Sequence, residues 1–178
     1  MTMQNTITMQ DVKFELKPLS KEGVEAALAK ADHYRLLNHP KMAESICLDV
    51  QKVDPDNQRA AVILLLALTD QFGQSSSKAR NEALNLANKL KDEYSRLYYA
   101  GIVHERQGST ALASGLPGAE FDAYEWYREA MELYEKADAV NKVSANDDPT
   151  LRWNTCVRII QEYNLKPRPL EDRTVLLE

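Results

Sequence analysis

The spacing of apolar residues is the feature that most restricts the fold of this chain. Between residues 20 and 165 they recur every three or four positions, as in Ala43, Ile46, Cys47 and Val50, and this is the period of an amphipathic α-helix. Breakers are rare, with 6 glycines and 7 prolines among 178 residues. Good helix formers fill the long stretches between them. The sequence therefore predicts an all-α protein.

Breaker and capping signals divide this pattern into seven predicted helices joined by short links. The third carries the longest apolar run and should be covered by neighbours on more than one side. Gly108 is expected to end the fifth helix in the left-handed conformation, so that residues 109–118 form a loop. The predicted helices span residues 20–37, 40–53, 58–72, 79–90, 93–107, 119–140 and 150–163.

Two segments without helical periodicity flank the predicted helical domain, which spans residues 20–165. In residues 1–19, apolar and charged side chains alternate from Val12 to Leu16, the pattern of an extended, half-buried segment. Residues 166–178 carry two prolines near their start, which favour an extended tail. Either segment could occupy a groove, pack elsewhere or stay disordered. Deleting residues 166–178 is expected to free surface for a partner peptide.

Charge and hydropathy exclude several classes of partner. The net charge of −5 gives no broad positive field for phosphate backbones, which argues against nucleic acid. The longest apolar run, Ala60 to Leu68, has nine residues, about half of what spans a bilayer. No secretory signal is visible at the start. We therefore expect a cytoplasmic protein without a membrane partner.

Residues that carry chemistry do not form a recognisable catalytic set. His33, His39 and His104 lack the spacing of a zinc helix, and neither a nucleophile elbow nor a glycine-rich phosphate loop is present. Cys47 and Cys156 fit neither a disulfide framework nor a zinc site and are expected to be buried free thiols. We predict no metal, no cofactor and no enzymatic activity. An enzyme with a site of unfamiliar pattern is the least favoured alternative.

A repeated unit underlies the helices. From residue 24 to residue 57 the chain presents Ala31, Tyr34, Ala43 and then Pro55 in an Asp-Pro-Asp-Asn turn. This spacing resembles the tetratricopeptide repeat (TPR), in which two antiparallel helices pack through small residues and a proline follows the second helix. Cys47 stands where that family commonly has a large aromatic residue.

Two further units extend the resemblance to about residue 137. The third unit has small residues at Gly101 and Gly108 and an aromatic pair at Trp126 and Tyr127. The second is degenerate, because Leu65 replaces the usual small residue and extra residues follow the first helix. The resemblance implies about three TPR-like repeats in a right-handed α-α superhelix of about seven helices, with the last helix as a cap and extended segments at both ends.

The resemblance also implies a function in protein interaction. Stacked helix pairs expose the first helix of each pair on a concave face, where a peptide or helix of a partner protein can lie. We therefore expect an adaptor or chaperone-like scaffold. The alternative is a structural subunit that forms a homo-oligomer or a larger complex. Some TPR proteins hold a peptide's terminal carboxylate with Lys, Arg and Asn, but the full set is missing here, so that clamp is not predicted.

Candidate partner-binding residues follow from the same resemblance. They are the residues of the first helices that avoid the packing stripe, although Val62, Leu66 and Ile102 could instead belong to the core. The candidates are Leu28, Asp32, Arg35, Arg59, Val62, Leu66, Thr69, Tyr98, Ile102 and Glu105.

Overall fold

Helices account for all regular secondary structure in the part of the chain that the structure describes. The computed structural model describes residues 15–73 and 77–169, and these contain seven α-helices, one 3-10 turn at Lys21–Gly23 and no strand. The prediction of an all-α protein is confirmed for these residues. The helices are α1 (Val24–Leu36), α2 (Pro40–Val53), α3 (Gln58–Thr69), α4 (Ser77–Asn88), α5 (Glu93–Ser114), α6 (Ala119–Val140) and α7 (Asp148–Glu162).

Local capping explains where several helices begin. The Asn57 side chain accepts a hydrogen bond from the Ala60 amide at 2.9 Å, and the Asp92 side chain accepts one from Ser95 at 2.8 Å. Each satisfies an amide of a first helical turn that has no partner within its helix. Pro40 starts α2, where a missing amide hydrogen costs nothing. These starts lie at the predicted positions.

The helices pack in chain order. Each contacts the next, α1 also contacts α3, and α3 also contacts α5. As a result α3 touches four helices and buries most of its length, including Ile63, Leu64 and Leu65. The expectation that the most apolar helix is covered on more than one side is therefore confirmed.

Two hydrophobic clusters form the core. One joins α1 to α4 with part of α5, and the other joins α5, α6 and α7. Cys47 lies in the first cluster and Cys156 in the second, both as buried free thiols. Burial raises the pKa of each thiol to about 12, so both remain protonated and unreactive at neutral pH.

The end of α5 differs from the prediction. Gly108 does not end the helix, which continues to Ser114 and stops at Gly115, where φ is +62°. A Cβ atom on Gly108 would lie 3.1 Å from the Tyr127 ring. The glycine therefore allows α6 to approach closely and does not act as a cap. Residues 109–114, predicted as part of a loop, are an extension of the helix.

Two other helices also depart from expectation. The predicted end of α3 at residue 72 is wrong, because the chain tightens after Thr69 and the Phe72 amide donates to the Thr69 carbonyl at 3.3 Å. Helical spacing predicts an apolar face of α7 that includes Leu151 and Tyr163, but these residues are 60% and 55% exposed. This helix contacts α6 and is rotated so that Cys156 faces the core.

The described ends of the chain pack differently. Leu16 is 79% exposed, whereas Leu165 is buried in the second cluster. Beyond it, Arg168 donates to Asp122 at 2.6 Å and lies over the Phe121 ring. The predicted alternation from Val12 to Phe14 and the apolar residues after 169 lie outside the described residues. No helix within the described residues is long and apolar enough to cross a membrane.

Candidate functional site

A polar cleft of about 590 Å³ opens where the last turn of α1 and the end of α3 meet the second half of α5 and the start of α7. Three arginines and two carboxylates line it, which leaves one positive charge in excess. The charged residues come from four helices or their immediate ends. They are Arg35, Asp70, Glu105, Arg106 and Arg152.

Asp70 connects two of these arginines. Arg35 donates from Nε to Asp70 Oδ2 at 2.9 Å, and Arg106 donates from Nη1 to Oδ1 of the same carboxylate. The side chains of Arg35 and Asp70 are only 18% and 17% exposed, and that of Arg106 is 31% exposed. Ion pairs that are partly withdrawn from water are screened less than surface pairs. The carboxylate therefore fixes both guanidinium groups at the cleft wall.

Glu105 is the centre of a second network. Its Oε1 accepts from Arg152 at 2.9 Å, and its Oε2 accepts from the Tyr134 hydroxyl at 2.6 Å. Arg152 also donates from Nε to the Tyr98 hydroxyl at 3.4 Å. Burial opposes the charge on Arg152, but the Glu105 carboxylate outweighs it and raises the pKa of that arginine. The network thus ties α5 to both α6 and α7.

The cleft offers hydrogen-bond donors that no group of the described residues uses, and both of its carboxylates are already engaged. Both carboxylates accept from two internal donors each. The hydroxyl of Thr69 donates to Leu66 at 2.7 Å, and that of Thr110 donates to Arg106 at 2.9 Å. Within the described residues, Arg35 and Arg106 each use a single guanidinium nitrogen. The remaining guanidinium N–H groups are available to a ligand.

Three of the predicted partner-binding residues line this cleft, namely Arg35, Thr69 and Glu105. Arg59 does not. It pairs with Glu25 and Asp32 of α1, each at 3.0 Å. The structure therefore separates Arg59 and Asp32 from the cleft and places them in a link between α1 and α3.

The other candidates lie in or near the core. Leu28 is fully buried and Ile102 is 2% exposed, so neither presents surface to a partner in this conformation. Val62 and Leu66 are half-buried. Tyr98 is half-buried and stacks on Tyr94, with ring centroids 5.6 Å apart.

Sequence reasoning missed Asp70, Arg106 and Arg152. A signal for the first two was present, because Asp70 follows Arg35 by 35 residues and Arg106 follows Asp70 by 36. These intervals are close to the 34-residue period of a helical hairpin repeat. Arg152 had no such signal, since its position depends on how α7 is rotated against α6.

A second polar cluster lies outside the cleft, between α4, α5 and α6. His104 Nδ1 is 2.7 Å from Glu129 Oε2 but is not aligned for a hydrogen bond. The ring centroids of His104 and Trp126 are 5.4 Å apart. The guanidinium carbon of Arg80 lies over the Trp126 ring, 5.2 Å from its centroid. Burial lowers the pKa of His104 despite the neighbouring Glu129. The arrangement links three helices.

Comparison of the chain with protein-family models, with curated proteins and with solved structures finds no match. The residues of the cleft, with their charges and unused donors, are therefore the basis for a functional assignment.

Proposed function

We propose that this protein is a non-enzymatic interaction module that binds a peptide or helix of a partner protein in the cleft. The observation that carries the proposal is the position of Arg35, Arg106 and Arg152 around one cavity. Arginine provides planar, charge-assisted hydrogen bonds, and it is enriched at the energetic centres of protein interfaces. A cleft with anchored arginines and unused N–H groups is suited to docking a partner chain.

The packing of the helices supports a TPR-like architecture for this module. The first helices of successive hairpins touch, since α1 contacts α3 and α3 contacts α5. Three polar contacts between them join residues 34, 35 and 36 positions apart, and a fourth, from Arg59 to Asp32, joins residues 27 positions apart. Equivalent positions of stacked repeats meet at intervals like the first three. We propose that the chain forms about three TPR-like hairpins in a right-handed superhelix, capped by α7.

Selection from a peptide library tests this function. Phage-displayed peptides are selected on the wild-type protein and counter-selected on a variant carrying Arg35→Glu and Arg106→Glu. We expect enriched peptides that bind the wild type with one-to-one stoichiometry in calorimetry and bind the variant at least about tenfold more weakly. The matched control is Arg128→Glu with Arg158→Glu, since both arginines are exposed and neither lines the cleft.

The melting temperature of each variant shows whether the cleft itself or general unfolding explains a loss of binding. Peptides that bind a folded Arg35→Glu/Arg106→Glu variant as well as the wild type contradict the cleft assignment. A library that yields no peptide binding in calorimetry contradicts the proposed function.

One observation favours the second candidate function, a subunit of a homo-oligomer. Three large apolar side chains are exposed at the turn between α1 and α2, where Leu36 is 84%, Leu37 52% and Met42 49% exposed. Neighbouring exposed apolar residues are typical of contact surfaces. Sedimentation velocity separates the two functions. A dimer that dissociates on Leu36→Asn with Met42→Asn favours the subunit, and a monomer at all concentrations excludes it.

A further inference from the structure

We infer that the cleft recognises the carboxylate side chain of an aspartate or glutamate in the bound partner, through Arg35 and Arg106. This inference rests on the proposed function and assigns the chemistry of its ligand. The two arginines come from α1 and α5 and are held by the same carboxylate, Asp70. Both guanidinium groups retain N–H groups that Asp70 does not use, and these N–H groups determine which ligand can bind.

Each of the two arginines keeps a complete edge for a planar anion. Arg35 uses Nε for Asp70, which leaves Nη1 and Nη2 side by side. Arg106 uses Nη1, which leaves the edge formed by Nε and Nη2. A carboxylate binds to such an edge with two parallel hydrogen bonds. Arg152 differs, because Nε and Nη1 are both used, and within the described residues only Nη2 has no partner.

The charge of the cleft matches one carboxylate. Among the residues that the structure describes, its lining carries three arginines against two acidic residues, a net charge of +1. One aspartate or glutamate side chain neutralises that charge, whereas a phosphate dianion overcompensates it and a lysine is repelled. The whole chain has a net charge of −5. Recognition of an acidic ligand therefore depends on the short-range contacts at this cleft and not on long-range attraction.

Anchoring of the arginines lowers the cost of binding. The Arg35 side chain is 18% exposed and its guanidinium is already fixed by Asp70. Little side-chain entropy remains to be lost when an anion arrives. Exposed Leu36, which also lines the cleft, provides apolar surface for the residue next to the acidic one.

A side chain fits this recess better than a chain terminus. The strongest acceptors of the cleft, Asp70 and Glu105, each serve two internal donors already. Fewer lone pairs of these carboxylates are therefore left for the backbone amides that would enter with a terminal carboxylate. An aspartate or glutamate side chain introduces only methylene groups and the carboxylate.

Synthetic peptides of about ten residues, acetylated and amidated so that both ends are uncharged, provide the direct test. Fluorescence anisotropy compares alternating Gly-Glu, Gly-Gln and Gly-phosphoserine peptides, and a Gly-Gln peptide with a free carboxyl end. We expect Gly-Glu to bind at least about tenfold more tightly than Gly-Gln, since hydrogen bonds to charged groups are the strong ones. Equal affinity for Gly-Glu and Gly-Gln overturns the inference. Tighter binding of the phosphopeptide, or binding only of the free carboxyl end, also overturns it.

Variants identify the arginines that are responsible. Arg35→Gln and Arg106→Gln should each weaken Gly-Glu binding by about tenfold, whereas Arg158→Gln, on the exposed side of α7, should not. Arg106→Glu provides a gain of binding that loss of structure cannot imitate, because this variant should bind a Gly-Lys peptide more tightly than the wild type does. Retention of Gly-Glu affinity by the Arg35→Gln and Arg106→Gln variants overturns the assignment.

Competition separates this inference from the proposed function. Gly-Glu should displace a peptide obtained by library selection. If a selected peptide binds in the cleft and Gly-Glu does not displace it, the carboxylate inference is wrong and the interaction module stands. If no selected peptide binds at all, the proposed function itself is wrong.

Discussion

The ring of Tyr134 lies directly against the backbone of Gly101. A Cβ atom at that glycine would be 2.5 Å from Tyr134 Cε1, so no side chain larger than hydrogen fits without movement. One α-helical heptad further along α5, Gly108 accommodates the ring of Tyr127 in the same way, with a Cβ distance of 3.1 Å. Two glycines on α5 and two tyrosines on α6 thus set the distance between these helices.

The first prediction concerns this contact. Gly101→Ala should lower the free energy of unfolding by about 1–3 kcal/mol, the usual cost of overpacking, although alanine is favoured over glycine in a helix by about 1 kcal/mol. Urea unfolding measures the change. Gly108→Ala is the matched control, because a Cβ atom there would be 3.1 Å from the Tyr127 ring. The higher helix propensity of alanine should therefore offset more of the overpacking cost at this position. A stabilised Gly101→Ala variant would contradict this close packing of α5 against α6.

The second prediction tests the buried hydroxyl of Tyr134. Tyr134→Phe removes the hydroxyl that donates to Glu105 Oε2 at 2.6 Å. The partly buried carboxylate then loses one of its two hydrogen bonds from the described residues. We expect a loss of about 1–3 kcal/mol in the free energy of unfolding. Tyr163→Phe is the control, since Tyr163 is 55% exposed and should change stability little. Equal effects of the two substitutions would argue against the Glu105 network.

The third prediction concerns Asp70. Asp70→Asn leaves the guanidinium groups of Arg35 and Arg106 beside each other without an anion, which should cost about 1–3 kcal/mol in stability. The cost should shrink when both arginines are replaced by glutamine, as measured in a double-mutant cycle. Asp56→Asn, on the exposed turn before α3, is the control. If Asp70→Asn lowers stability equally when Arg35 and Arg106 are both replaced by glutamine, then Asp70 does not stabilise the protein through these two arginines.

The sequence predicted the helices best where their ends depend on local chemistry. The second and sixth helices, Pro40–Val53 and Ala119–Val140, begin and end at the predicted residues, because proline and glycine act on their own neighbourhood. The end of α5 was missed for a different reason. Gly108 looks like a terminator, but its role depends on Tyr127, a residue of another helix.

The cleft was predicted only in part, for the same physical reason. Arg35, Thr69 and Glu105 were found because they lie on the first helices of the hairpins. The residues that contact them in the cleft depend on how the helices are rotated and spaced against one another. The periodicity within a single helix does not reveal that arrangement. Arg152 is the clearest case, since α7 turns that side chain towards Glu105 and leaves Leu151 exposed.

The last prediction is a pH dependence that originates at His104. Burial lowers the pKa of this imidazole in the folded protein, against the attraction of Glu129, while Arg80 also faces it and opposes protonation. The unfolded chain has an ordinary histidine pKa of about 6.5 and therefore binds a proton more readily than the folded one. The contribution of His104 to stability is consequently complete above about pH 6.5 and is lost as the pH falls below that value.

Urea unfolding between about pH 7.5 and about pH 5.5 tests this, because most carboxylates remain ionised in that range. The free energy of unfolding should fall with pH by at most about 1.4 kcal/mol per pH unit from this group, and His104→Gln should reduce the slope. His33→Gln, which replaces an exposed histidine, is the matched control substitution. A slope that is the same in the wild type and in His104→Gln would mean that the Glu129 carboxylate, 2.7 Å away, keeps the folded imidazole as readily protonated as the unfolded one. In that case the attraction of this carboxylate balances the cost of burial.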